Sequence, residues 1–248
     1  MKNIIYIVLL TTQVFFAQSG FEKGNEFYKN AKYEQAAEAY ENVVNSDKQQ
    51  SAELYFNLGN CYYKLNKVAP AIYNYEKALV LNPNDKEIVN NLKFAQKRTI
   101  DEIKVIPKVG FAKLLRDFTG IYHYNTWALI SVAFSMLFLL SFVGYYFSSM
   151  SRSKKMFFFG MFVMIFLLLI SVLAAFFEKS HAENEKPAVV FAEMTDVKSE
   201  PQKLAPNVLV LHEGTKVFVK EKLDGWRKIQ LTDGTEGWME SSAIKEVK

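Results

Sequence analysis

The residues able to do covalent or redox chemistry are few and scattered. Three histidines, His123, His181 and His212, lie in different segments, and Cys61 is the only cysteine. No Cys or His pair has metal-ligand spacing. No Ser–His–acid cluster can be argued, because His181 falls in a polar linker and His212 in a β-rich run. Neither a GxxxxGKS/T loop nor a GxGxxG turn is present. Cys61, among tyrosines and apolar residues, reads as a small buried core residue. The expectation is a non-enzymatic chain with no metal and no cofactor. Binding chemistry is better represented. Asn25 and Asn60 stand in equivalent surroundings, since Tyr28-Lys29 recurs as Tyr63-Lys64. An amide side chain both donates and accepts hydrogen bonds, which suits a peptide backbone. Trp226 and Trp238, each preceded by glycine, could form an aromatic groove or brace the fold.

Helices must position the asparagines. Gly24, Phe27, Ala36, Tyr40 and Val43 recur as Gly59, Tyr62, Ala71, Tyr75 and Ala78, each offset by 35 residues. Ala36, Tyr40 and Val43 share one helical face, as do Ala71, Tyr75 and Ala78. Pro70 suits the first turn of a helix, and Asn82-Pro83 ends it. A further helix over about Lys86 to Ile100 would cap the stack. The second copy, with Tyr55, Leu58, Gly59, Tyr62, Ala71, Tyr75, Ala78 and Pro83, resembles the tetratricopeptide repeat. The first copy has Lys23 where that repeat has Leu. The resemblance implies a concave groove for an extended peptide, with Asn25, Tyr28, Lys29, Phe56, Asn60, Tyr63 and Lys64 as candidate lining. The basic grip on a C-terminal carboxylate found in some relatives is not matched, since Phe21, Asn90 and Phe94 replace its extra cations. Two repeats and a cap make a short array, open to completion by a partner.

Two uncharged runs follow, 126–147 and 156–177, each 22 residues long. At about 1.5 Å per residue each reaches roughly 33 Å, enough to cross the hydrocarbon core. Neither holds an ionisable residue, which argues against an ion pathway. Arg152, Lys154 and Lys155 form an uncompensated basic loop, 148–155, expected in the cytoplasm. Residues 1–19 read as a secretory signal: Lys2, an apolar run from Ile4 to Phe16 broken only by Thr11, Thr12 and Gln13, then Ala17-Gln18-Ser19. Both arguments put the N-terminal module outside, the loop inside and the C-terminal module outside. Residues 104–125 read as an amphipathic juxtamembrane segment. There Phe111, Leu114, Leu115 and Phe118 share one face, the basic side with Lys104, Lys108, Lys113 and Arg116 turns toward lipid phosphates, and Tyr122, Tyr124 and Trp127 anchor the interface. Between Lys104 and Phe177 stand seven basic residues and one acidic residue. The basic excess therefore adjoins the apolar runs and reads as membrane electrostatics, with no nucleic-acid footprint.

A polar linker, 178–187, leads into β-rich runs at Val189–Phe191, Val208–Leu211, Lys216–Val219, Trp226–Leu231 and Glu236–Met239. Asp224-Gly225 and Asp233-Gly234 supply turns between the later runs. Leu211-His212-Glu213-Gly214-Thr215, Gly225-Trp226 and Gly237-Trp238 together resemble a bacterial SH3-like domain over 188–248. That resemblance implies a small barrel binding cell-wall peptides or proteins.

The fold class is thus a multi-domain membrane protein: an all-α tetratricopeptide module (20–103), two transmembrane helices and an all-β SH3-like barrel. This order, with the Asn90-Asn91-Leu92-Lys93 to Asp101 stretch, is similar to the BatE-type proteins of the Bacteroides aerotolerance operon. The resemblance implies a scaffold in the bacterial inner membrane, with both modules in the periplasm. Its implied partners are von Willebrand A-like and other Bat-type membrane proteins and a MoxR-type ATPase complex. The alternatives are a peptidoglycan-binding sensor and a regulator of a wall enzyme.

Overall fold

The computed structural model describes residues 20–46, 48, 50–104 and 110–248, so the signal segment expected at 1–19 lies outside the described residues. The chain divides into two compact units. One joins the residues before Pro107 to those from Lys186 onward, and the other is Pro107–Glu185.

The first unit begins with helices α1 (20–29), α2 (Tyr33–Ser46), α3 (Ala52–Lys64), α4 (Val68–Leu81) and α5 (Lys86–Gln96). Polar caps start two of them: Ser51 accepts the Leu54 N–H, and Asp85 accepts those of Glu87 and Ile88. Ala31 and Asn66, equivalent by the 35-residue offset, both take left-handed backbone after α1 and α3, with φ of 56° and 59°. There the Lys32 N–H reaches back to the Phe27 carbonyl and the Lys67 N–H to that of Tyr62, closing both helices in the same way. The recurrent glycines let the helices approach. A Cβ on Gly24 would stand 2.4 Å from the Tyr40 ring, and one on Gly59 2.6 Å from the Tyr75 ring. Each tyrosine ring therefore lies flat against the neighbouring helix backbone. The capping helix α5 stops at Gln96, short of the expected Ile100.

Seven strands follow Lys186: β1 (Pro187–Val190), β2 (Met194–Lys198), β3 (Asn207–His212), β4 (Lys216–Leu223), β5 (Trp226–Gln230), β6 (Glu236–Glu240) and β7 (Ile244–Glu246). They form one antiparallel sheet in the order β3-β2-β6-β5-β4-β1-β7. Ala188, Val190, Val197, Leu211, Val217, Val219, Ile229 and Met239 are buried on its inner side. The strand β1 is buried at all four residues. Ala188 and Val190 turn into the sheet's own core, while Val189 joins the core of the helical stack, as does Val247. A strand covered on both faces reads as a continuous apolar run without alternation. Helices and sheet are therefore one body. The chain's own C-terminal sheet covers α4 and completes the short array.

The second unit holds α6 (Phe111–Thr119), α7 (Tyr124–Phe147) and α8 (Ser151–Asn184). The helices α7 and α8 are long and apolar enough to cross a membrane, and few of their residues are buried. They pack as a hairpin. Ser131 donates to Ser171 at 2.9 Å, and the Phe157 ring fills the space beside Gly144. Several expectations shift here. The segment expected as a linker from 178 is helical as far as Asn184, held by Lys179–Glu183 and His181–Glu185 pairs one turn apart. The connection between the long helices is only 148–150, so Arg152, Lys154 and Lys155 sit within the first five residues of α8 and not in a loop. Trp127 is buried, its Nε1 donating to the Thr119 carbonyl at 2.8 Å between Phe118 and Tyr122, so it packs the hairpin end and does not anchor to lipid. Arg116, assigned by sequence to a lipid-facing basic side, instead donates to Glu178 at 2.6 Å. Phe111, Leu114 and Phe118 of α6 remain exposed. Lys108 lies outside the described residues.

Candidate functional site: two binding faces and the joint between them

The asparagines anticipated in the groove form a ladder across α1, α3 and α5. The Asn25 Oδ1 accepts from the Tyr40 hydroxyl at 2.6 Å and from the Asn57 amide at 3.3 Å. The Asn60 Oδ1 accepts from the Tyr75 hydroxyl at 2.7 Å and from the Asn91 amide at 2.9 Å. Each oxygen thus takes two donors, which is its capacity. The accepting half of the chemistry expected for a peptide backbone is therefore used inside the fold. Only the amide N–H groups of Asn25 and Asn60 remain to meet a ligand. Sequence reasoning missed Asn57 and Asn91; their offset of 34 was hidden by the 35-residue offset of the other matches.

The remaining candidates divide. Phe56 packs on Tyr75, and Tyr28 on Tyr33. Burial pushes the Tyr28 hydroxyl up, with Cys61 and Tyr33 adding to it. Tyr63 is roofed by Arg98, whose guanidinium stands 3.8 Å from the ring centre and donates to the Tyr63 carbonyl and the Asn66 amide oxygen. Lys29 and Lys64 are exposed, and neither has a carboxylate partner among the described residues. What this face offers a ligand is two cations, amide donors and partly covered aromatic rings, with Phe94 exposed beside them. Cys61 is fully buried beneath, and burial pushes its thiol up to about 12.

The second face is the outer side of β2, β6 and β5. Ile229 points inward, so Trp226 and Lys228 point out. Trp238 pairs with Lys228 on one side and Lys198 on the other, so it shares that face. Both tryptophans are half-buried. A cleft of about 400 Å³ opens beside Trp226, lined also by Met194, Thr195, Asp196, Lys198, Lys203 and Glu240. Trp238 is not part of its wall. The strand β2, which supplies most of the lining, escaped sequence reasoning because only Val197 of its five residues is buried. Close approach of β2 and β6 depends on Gly237, where a Cβ would stand 2.4 Å from Val197 and 2.9 Å from the Lys198 carbonyl oxygen.

Between the faces lies a polar joint with no local sequence signature. Asp101, just past α5, holds the β3–β4 turn. One carboxylate oxygen accepts from the His212 N–H at 2.7 Å and the Thr215 hydroxyl at 2.6 Å. The other stands 2.7 Å from His212 Nδ1. Burial acts to raise the Asp101 pKa, but the hydrogen bonds from Thr215 and His212 together hold it below its ordinary value. In the same turn Gly214 has φ of 85°, and a Cβ there would meet Thr99, Val68 and Ile72 of the helical stack. Lys216 reaches the buried Glu76 at 2.8 Å, and Tyr73 stacks edge-on against Phe191. Among the described residues, no cluster of three or more His, Cys, Asp or Glu side chains could hold a metal ion.

Comparison with known families finds one match within the helical stack and one within the sheet. The tetratricopeptide repeat model matches residues 52–85, which are α3 and α4 with their caps. The bacterial SH3 domain model matches residues 192–246, spanning β2 to β7. A comparison with curated proteins finds no match.

Proposed function

We propose that this protein is a non-enzymatic adaptor of a bacterial envelope, anchored by the α7–α8 hairpin. The observation that carries the reading is the Asp101 joint. It fixes a tetratricopeptide face and an SH3 face in one body, so two ligands are held at a set separation. Such preorganisation favours assembly, because the ordering cost is met within the chain before any partner binds. A two-helix hairpin returns the chain to the side it left, which a body built from both flanking segments requires. The positive-inside tendency puts Arg152, Lys154 and Lys155 in the cytoplasm and that body in the periplasm. Partners in this reading are proteins, with von Willebrand A-like and other Bat-type membrane proteins and a MoxR-type ATPase as the specific expectation, in an aerotolerance or stress setting.

The test is purification of the full-length protein from its own membranes in mild detergent, with crosslinking and mass spectrometry of what accompanies it. Crosslinks from Lys29 or Lys64 to membrane proteins are expected. Recovery of the protein alone would remove the adaptor reading.

The cleft beside Trp226 supports a second reading, a sensor that binds peptidoglycan through the SH3 domain. Sedimentation of detergent-solubilised protein with isolated cell wall tests it, and absence of binding ends it.

A further inference from the structure

The turn between α7 and α8 borders an open cleft of about 340 Å³, lined by Tyr145, Ser149, Ser151, Lys154, Lys155 and Phe158. Its parts are segregated. The Tyr145 and Phe158 rings, 6.2 Å apart between centres, form an apolar wall. Ser149, Ser151, Lys154 and Lys155 form the rest. No Asp or Glu occurs between Asp117 and Glu178, so the sequence around the cleft supplies no carboxylate to neutralise Lys154 and Lys155. Neither lysine has an ion-pair partner among the described residues. Uncompensated cations beside hydroxyl donors call for an anion with several acceptor oxygens. A free anion would leave the apolar wall unused. That wall runs into exposed Tyr146, Phe147, Phe159 and Phe162 on both helices, so the site suits a phosphate attached to hydrocarbon.

We propose that this cleft binds the phosphate of an anionic phospholipid, one molecule for each hairpin. Lys154 and Lys155 take the charge, Ser149 and Ser151 donate to phosphate oxygens, and Tyr145 and Phe158 flank the glycerol and upper acyl chain. The inference rests on the hairpin spanning a bilayer and goes beyond it, because a span alone requires only nonspecific solvation by lipid.

The experiment is native mass spectrometry of the full-length protein in mild detergent, with phosphatidylglycerol or phosphatidylcholine of matched chains added. One phosphatidylglycerol per chain is expected to be retained, about tenfold over phosphatidylcholine, given two lysines at a charged headgroup. The double substitution Lys154→Gln and Lys155→Gln should abolish the preference, while Lys220→Gln on the exposed side of β4 should leave it intact. Equal retention of the two lipids, or an undiminished preference in the double variant, overturns the proposal. Displacement of the lipid by millimolar inorganic phosphate would assign the site to a soluble phosphate and overturn it equally. Carbonate extraction of native membranes separates the premise from the inference. Release of the protein by carbonate defeats the spanning reading and this proposal together, whereas an integral protein without lipid preference defeats this proposal alone.

Discussion

Asp101 and His212 are 111 residues apart in sequence, yet the Asp101 carboxylate bonds both the backbone N–H and the ring of His212, each at 2.7 Å. The whole α7–α8 hairpin lies between them in the chain. One carboxylate therefore fastens the end of the repeat stack to the β3–β4 turn, and the stack and the sheet are held as one piece.

Asp101→Asn removes the charge, and with it the charge-assisted character of the bonds from the His212 N–H and the Thr215 hydroxyl. Loss of such charge-assisted bonds in a partly buried site costs on the order of 1–3 kcal/mol. The joint should loosen while each module stays folded. Hydrogen exchange on the full-length protein in detergent should show faster exchange at residues 212–215 and unchanged exchange in β5 and β6. Equal protection of the turn in both proteins would mean that Asp101 contributes nothing to the joint.

The joint should also be acid-sensitive. Hydrogen bonding from Thr215 and His212 overcomes the effect of burial at Asp101, so its carboxyl is held below its ordinary value. A folded-state pKa below the unfolded value adds stability that is present above the unfolded pKa and lost as pH falls through the folded one. Stability of the joint should therefore be level at neutral pH and fall below about pH 4. Exchange at 212–215 against pH should show that fall, and Asp101→Asn should flatten it. A wild-type profile that stays level down to pH 3 would exclude the carboxylate's role.

Much of this architecture was legible because it rests on short periods. The 35-residue recurrence located Gly24, Tyr40, Gly59 and Tyr75, and the Asp-Gly pairs located the later turns. What was missed rests on long-range contact. Asp101 and Glu76 have partners 111 and 140 residues away, and no local pattern marks either. Val189 looks like any apolar strand residue, and nothing near it announces that it faces α4. The end of α8 was missed for a different reason. Its last turns are polar, and polarity marks departure from an apolar environment, whereas helix continuation depends on propensity and i,i+4 pairs. Asn25 and Asn60 were singled out for their chemistry, but sequence could not show that Tyr40 and Tyr75 occupy their oxygens.

Gly59→Ala distinguishes propensity from packing. In an open helix interior this change stabilises by about 1 kcal/mol. Here the added methyl would stand 2.6 Å from the Tyr75 ring, which is itself fully buried and cannot retreat. Overpacking costs of about 1–3 kcal/mol should reverse the sign. Thermal unfolding of the helical signal should begin at lower temperature than in the wild type. A higher transition would show that the tyrosine can shift.

Ala31→Gly should act in the opposite direction. Ala31 holds φ of 56°, which costs a non-glycine residue roughly 1–2 kcal/mol, and its side chain is exposed. Glycine removes the strain at the price of a looser unfolded chain, leaving a net gain of about 0.5–1 kcal/mol. Asn66 already meets the same demand in the second copy with a residue type that tolerates it. A rise in the same unfolding transition is expected, and no change would show that the turn relaxes around alanine.

Cys61 reports on the stack from within. Its side chain is fully buried between the two hairpins, and burial pushes the thiol up to about 12, so at pH 8 almost none is present as the nucleophilic thiolate. Iodoacetamide should leave the folded protein unmodified over hours at pH 8 and modify it once denaturant opens the helices. Gly59→Ala, which strains the packing beside it, should shorten the time to modification under native conditions by about tenfold if it costs 1.4 kcal/mol of opening free energy. Asp101→Asn disturbs the joint on the far side of α4 and should leave that time unchanged. Rapid modification of the folded wild type would mean that the repeat stack opens far more readily than its packing implies.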